Sequence, residues 1–296
     1  MSATSGAPGS RPAHPCHAAP GAPGFHLALL RGQISAYLST FKARGRVLLQ
    51  YREAALAGVV TQLFWGGIRI MIYDAFYRST TAPQPMTHAQ TTTYLWLIQA
   101  MLLLLPWHVD AEAAEHIRDG TVAYELVRPT DLYWFWFSRG LAQRVLPVLM
   151  RAAPIFIIAG PFLGLQPPVS LSAALAWLLS IGGAALLSCA ITMLATISLL
   201  WSIAGDGASR LLATAASLLS GSVVPLAFFP DWAQPVLDAL PFRGLMDIPF
   251  RLYMGDLPTS QTLLLLAHQL AWTVGLVLVG RLLLARGLRR LVVQGG

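Results

Sequence analysis

Charge is scarce in this chain. Asp, Glu, Lys and Arg together make up 11% of its 296 residues, against roughly a quarter in a soluble domain. So few charges cannot cover the surface of a water-soluble fold, and that class is excluded. Lysine is nearly missing: Lys42 stands alone, with no Gly-x-x-x-x-Gly-Lys-Ser/Thr loop around it, so the chain has no P-loop to cradle nucleotide phosphates. The two cysteines, Cys16 and Cys189, spell out neither a disulfide framework nor a zinc knuckle. None of the thirteen acidic residues lies well inside an apolar run, Asp74 coming nearest. A proton relay through a membrane needs such a group, which argues against an ion-coupled carrier. No Ser/His or His/acid pairing is recognisable, so no catalytic residue is assigned. The first 25 residues are rich in Pro, Gly and Ala and lack an apolar core, so no cleavable signal is expected there.

Apolar residues, by contrast, make up 55% of the chain, and mean hydropathy is +0.59. They come in long runs, which points to an all-α polytopic membrane protein. Six stretches are long enough to span: Ala54–Tyr77, Thr91–Val109, Val145–Leu165, Leu171–Trp201, Leu211–Phe229 and Thr262–Leu284. With six spans both termini share one side. Fifteen basic residues then fall with the termini and three, Arg78, Arg243 and Arg251, on the opposite side. That asymmetry places both termini in the cytoplasm. The net charge of +7 therefore reports orientation in a bilayer, and no nucleic-acid partner is assigned.

Four organisational units are expected. Residues 1–25 form a disordered cytoplasmic tail and residues 26–53 an amphipathic helix. Residues 54–290 form the membrane domain and residues 291–296 a cytoplasmic end. In the second unit Leu27, Leu30, Ile34, Tyr37, Leu38 and Phe41 recur at helical spacing, opposite Arg31, Ser35, Ser39, Lys42 and Arg46. Such a helix suits the headgroup plane, its cations toward anionic lipid; the alternative is a soluble helix packed on a partner.

The segment Asp110–Arg144 is the richest in polar residues. Asp110–Arg118 reads as a short polar helix, with Glu112 and His116, and Glu115 and Arg118, as helix neighbours. Gly120 breaks it, and Thr130 or Asp131 can cap the next element. His108, Asp110, Glu112, Glu115 and His116 gather His and carboxylate but lack His-Glu-x-x-His spacing, and no metal site is assigned. Between the last two spans, Pro230, Pro235, Pro241 and Pro249 interrupt a segment too apolar for a free loop, which is expected to dip into the outer leaflet as a re-entrant hairpin. Ala213, Ser217 and Gly221 repeat every four residues, a face on which another helix can approach, and are read as a dimer contact. Ser180, Ala184, Ser188 and Thr192 form a similar row. Arg69 and His268 lie within spans and are read as cavity residues. Arg151, about two turns into its span, can instead snorkel to the headgroups.

The ordered set of features resembles the membrane subunit of ATP-binding cassette exporters of the second, drug- and polysaccharide-exporting type. The sharper resemblance is to the bacterial subfamily with separate permease and ATPase chains. The resemblance rests on Ile117-Arg118-Asp119-Gly120 followed by Leu126-Val127-Arg128-Pro129. It also rests on Pro225-Leu226-Ala227-Phe228-Phe229-Pro230 with Leu240-Pro241-Phe242, and on the ending Arg289-Arg290-Leu291-Val292-Val293-Gln294-Gly295-Gly296. It implies a coupling helix at Asp110–Arg118, with Glu112, Glu115, His116 and Arg118 as contacts to a cytoplasmic P-loop ATPase, two copies of it per complex. ATP and magnesium would sit on that partner, with no cofactor in this chain. A second permease chain, copy or paralogue, is implied as well, in a bacterial inner membrane. The rival reading is a non-transporting membrane scaffold or sensor.

Overall fold

Thr87 opens a helix with a reciprocal cap: its hydroxyl accepts from the Gln90 amide while the Gln90 side chain accepts from the Thr87 amide, satisfying two end groups at once. Single caps do the same elsewhere, with Asp110, Asp131 and Ser170 each accepting from the amide three residues on. In the computed structural model residues 23–50, 52–128, 130–201 and 207–289 are described, and all their regular structure is helical. The tail at 1–22 and the motif residues 290–296 lie outside the described residues.

The chain divides into two units, 1–36 and 37–296. The first holds the start of α1 (Pro23–Gln50), on which Ile34 is exposed. The second holds the rest of α1, then α2 (Arg52–Ser79), α3 (His88–Met101), α4 (Ala111–Arg118), α5 (Val122–Leu126) and α6 (Leu132–Phe162). After these come α7 (Leu171–Ser198), α8 (Gly207–Leu219), α9 (Gln234–Ala239), α10 (Asp247–Tyr253) and α11 (Thr262–Leu288).

Four helices among the described residues are long and apolar enough to cross a membrane: Ala55–Ser79, Leu132–Phe162, Leu171–Ser198 and Thr259–Leu288. They match the first, third, fourth and sixth expected spans. The second and fifth are shorter helices, α3 of 14 residues and α8 of 13. Backbone chemistry cuts both short. A 3-10 turn at Leu102–Leu104 and Pro106 end the first, and Gly221 at φ +85° followed by Pro225 ends the second.

In order of contact, α2 packs on α3, α3 on α6, α6 on α7 and α7 on α11. α7 is central: 67% of its most apolar stretch is buried, against 17–22% in the other three long helices. Its row of small residues is what lets neighbours in. Ser180, Ala184, Ser188 and Thr192 are all buried within this chain, and a Cβ on Gly183 would meet Gln269 of α11 at 2.5 Å. α3 is buried on every side from Thr91 to Met101, so a short helix suffices there.

The start of α6 differs from expectation. α6 starts at Leu132, well before Val145, because Asp131 caps it and the aromatic run Tyr133–Phe137 packs as its first turns. Arg139 and Arg144 therefore belong to a helix, where both are buried, and not to a loop. Pro147, Pro154 and Pro161 lie inside α6 two turns apart on one face, each removing an amide donor from the ladder. The proline-broken segment after α8 folds into 3-10 turns, α9 and α10, and residues 243–250 are buried. Phe250 meets Tyr94 edge to face at 5.2 Å, and the Gln269 amide donates to the Gly244 carbonyl at 2.7 Å.

Candidate functional site

α4 presents two unlike faces. Ala113, Ala114 and Ile117 are buried in the same apolar cluster as Trp136, Phe137 and Met193, whereas Glu115 and Arg118 are exposed. Small apolar residues let the helix lie close on the bundle, with its charged face turned outward.

A guanidinium fixes α4 in place. Arg139 of α6, 3% exposed, donates from Nε and Nη2 to the two carboxylate oxygens of Asp110, both at 3.1 Å. Asp110, itself 3% exposed, also caps α4 by accepting from the Ala113 amide at 3.0 Å. Its own amide donates to the Thr196 hydroxyl of α7 at 3.1 Å. Arg139 Nη1 lies 3.0 Å from Glu112 and 3.9 Å from buried Glu125. Glu125 accepts from the Trp136 indole at 2.7 Å and lies 3.1 Å from the His116 imidazole. Arg44 of α1 adds a 3.6 Å contact to Glu112. One cation therefore ties the N-cap of α4, its first turn, α5 and α6 together. A two-pronged guanidinium–carboxylate pair constrains orientation as well as distance.

Of the expected contacts, Glu112 is turned inward to Arg139 and Arg44, and His116 is turned to Glu125. Glu112 and His116 are thus each engaged with residues outside α4, because buried partners outcompete a solvated pair one turn away. Glu115 and Arg118 stay on the outer face. The sequence reading missed Arg139, Glu125 and Trp136. The available signal was three carboxylates, Asp110, Glu112 and Glu125, upstream of an aromatic run in a chain poor in charge.

On α2, Arg69 lines an apolar pocket of about 580 Å³ with Ile72, Tyr73, Phe76, Val223, Val224 and Phe228. Its Nη2 donates to the Ser222 and Val223 carbonyls at 2.6 and 2.5 Å. His268 is half-buried on α11 and is not among the walls of this pocket. Arg151 lies flat on α2, where a Cβ on Gly58 would collide with its guanidinium. Arg144 is buried in α6, donating to the Ser188 hydroxyl at 2.9 Å, the Gly140 carbonyl at 3.0 Å and the Thr192 hydroxyl.

The α8 row sits as follows. Ser217 is buried and donates to the Ala213 carbonyl at 2.8 Å. Gly221 is pressed against the Tyr94 hydroxyl. Ala213 is half-buried in the wall of a cavity of about 630 Å³ that also includes Ala114, Arg118 and Arg210. The exposed face of α8 is Leu211, Thr214 and Leu218.

A protein-family profile described as "ABC-2 family transporter protein" matches residues 63–295. No curated protein and no solved structure matches the chain.

Proposed function

From a chain that belongs to the ABC-2 family of transporter proteins, we propose a permease subunit of an ATP-driven exporter, engaged through α4 by a separate P-loop ATPase. A membrane component with a permease-type role follows from the family; the partner, the direction and the contacts are the proposal. The observation that carries it is the ion network around Arg139. A helix that transmits force must be rigid on its anchored side and polar on its outer side, and α4 has both properties. The scaffold or sensor reading is not favoured, since nothing in it calls for a short helix so heavily braced.

In this reading ATP and magnesium sit on two ATPase copies, consistent with a chain that lacks a P-loop. ATP can drive transport only by favouring one conformation over another, so α4 must meet the ATPase differently in the two. The Arg44–Glu112 contact would carry the same motion to α1, whose exposed Ile34 and Leu38 suit an interfacial position. The short helices α3 and α8 complete six spans, and the segment from α9 to α10 forms the re-entrant hairpin at the outer face. By the arginine asymmetry both termini lie in the cytoplasm, and the resemblance to bacterial permeases implies a bacterial inner membrane. A second permease chain, copy or paralogue, would complete the path. The Ala213, Ser217 and Gly221 face would contribute to that contact only if α8 shifts, whereas Leu211 and Leu218 are available now.

The test is purification from the native host in mild detergent with identification of retained chains. A stoichiometric P-loop ATPase is expected, and the paired change Glu115→Ala with Arg118→Ala should weaken its retention. Retention unchanged in that variant removes the α4 assignment. Loss of every ATPase from a preparation that keeps other membrane complexes intact removes the exporter reading.

A further inference from the structure

Arg69 is a cation in an apolar wall. Among the described residues no carboxylate lies within ion-pair distance of it. Asp74, one turn along α2, is already shared between Arg78 at 2.8 Å and His88 at 3.3 Å. The titratable side chains nearest Arg69 are the phenols of Tyr73 and Tyr94. Of the five N–H donors of a guanidinium, the two on Nη2 go to the Ser222 and Val223 carbonyls. That leaves Nε and Nη1, with three donors, lacking a protein partner among the described residues.

Local backbone chemistry builds this geometry. Gly221 at φ +85° turns the chain after α8, and the Ser222 hydroxyl, donating to the Ser217 carbonyl at 2.8 Å, holds the turn. The two carbonyls so presented orient Arg69 without neutralising it. Around the cation the pocket is aliphatic and aromatic: Ile72, Phe76, Val223, Val224 and Phe228, with Tyr73 and Phe228 rings 5.8 Å apart. Ile72, Val223 and Val224 are exposed, so the pocket opens on the surface of the bundle. An uncompensated cation among apolar groups is costly unless an anion completes it.

We infer that this pocket binds the transported cargo and that the cargo is an anionic amphiphile, its acid head on Arg69 and its single apolar tail along Ile72, Phe76, Val224 and Phe228. The inference rests on the permease reading and supplies its substrate class. A volume of about 580 Å³ lies within the roughly 300–1,000 Å³ of small-ligand sites, and suits one tail better than the two of a resident phospholipid.

The experiment uses the full chain in phosphatidylcholine nanodiscs. The probes are lysophosphatidic acid, lysophosphatidylcholine of equal chain length, and inorganic phosphate. Lysophosphatidic acid should bind the wild-type protein and lose about tenfold or more in affinity with Arg69→Gln. Arg69→Lys should keep the preference for the acid, and Val224→Trp, which fills the pocket without touching the charge, should abolish binding. Arg69→Lys and Val224→Trp decide the matter if Arg69→Gln does not fold. Equal binding of the two lysolipids overturns the inference, as does displacement by inorganic phosphate. So does displacement of the probe by phosphatidylglycerol added to the disc, which would mark a fixed bilayer-lipid site. No ATPase is needed in this assay. Failure here with an ATPase still retained in purification removes only the ligand, and the reverse result removes the exporter reading and the ligand's role as cargo while leaving the binding site.

Discussion

Replacing Arg139 by Met takes the cation out of the site that anchors α4. The side chain is of similar length and apolar, so the cavity stays filled and the change isolates the charge. Asp110 and Glu125, both under 10% exposed, then face each other's field without their shared partner. Breaking a buried pair by removing one member costs about 3–5 kcal/mol. Here three compensations pull the figure to the lower end. Asp110 keeps the Ala113 amide, Glu125 keeps the Trp136 indole, and Glu112 is partly solvated and keeps Arg44. A loss of about 3 kcal/mol in the docking of α4 corresponds to roughly a hundredfold rise in its open population. Hydrogen exchange reads that directly. The Ala114 and Asp119 amides, which donate to the Asp110 and Glu115 carbonyls at 2.8 and 2.9 Å, should exchange roughly a hundredfold faster in Arg139→Met. Arg139→Lys should fall between, since it keeps the charge and loses the two-pronged geometry. A double-mutant cycle with Asp110→Asn should show coupling. Unchanged exchange in α4, with coupling below about 0.5 kcal/mol, would refute the anchoring role.

Three further outcomes are expected. Burial pushes the Asp247 carboxyl up to about 6, against the pull of Arg251 and Arg243. The folded protein then holds more protons than the unfolded chain between about pH 4 and 6, so stability falls as pH rises through that window and levels off above it. Asp247→Asn should flatten this slope in thermal unfolding and add no more than about 3 kcal/mol at neutral pH, since Arg243 keeps Asp238 and Arg251 keeps Asp256. Gly221→Ala should lower the unfolding midpoint by more than about 1 kcal/mol of stability, and adding Tyr94→Phe should recover part of it by removing the colliding hydroxyl; no recovery would deny that contact. Gln269→Leu strands the Gly244 carbonyl and should cost about 1–3 kcal/mol, seen as faster exchange in α10 and unchanged exchange in α4.

Much of the helix framework was legible in advance because lipid solubility and helix capping are local properties. The long spans follow from runs of apolar residues, and Asp131 and Gly120 mark boundaries through chemistry that acts within a turn. The short polar helix at 110–118 was legible for the same reason. The start of α6 was placed too late, at Val145, because the aromatic run Tyr133–Phe137 suits an interface and a helix start equally, and only its packing partners distinguish the two.

The sequence by itself therefore determined class, the expected spans and their expected orientation, since these depend on composition along one dimension. Only the tertiary structure decided which charges meet. Arg139 is 29 residues from Asp110 and Arg69 is 153 from Ser222, and no periodicity spans such separations. It likewise decided that the small residues of α7 serve neighbours in the same chain, and that Ser217 and Gly221 are covered. Side-chain partners are chosen by which helices lie side by side, and that choice is made by packing volume summed over the whole bundle, a quantity no single stretch of sequence contains.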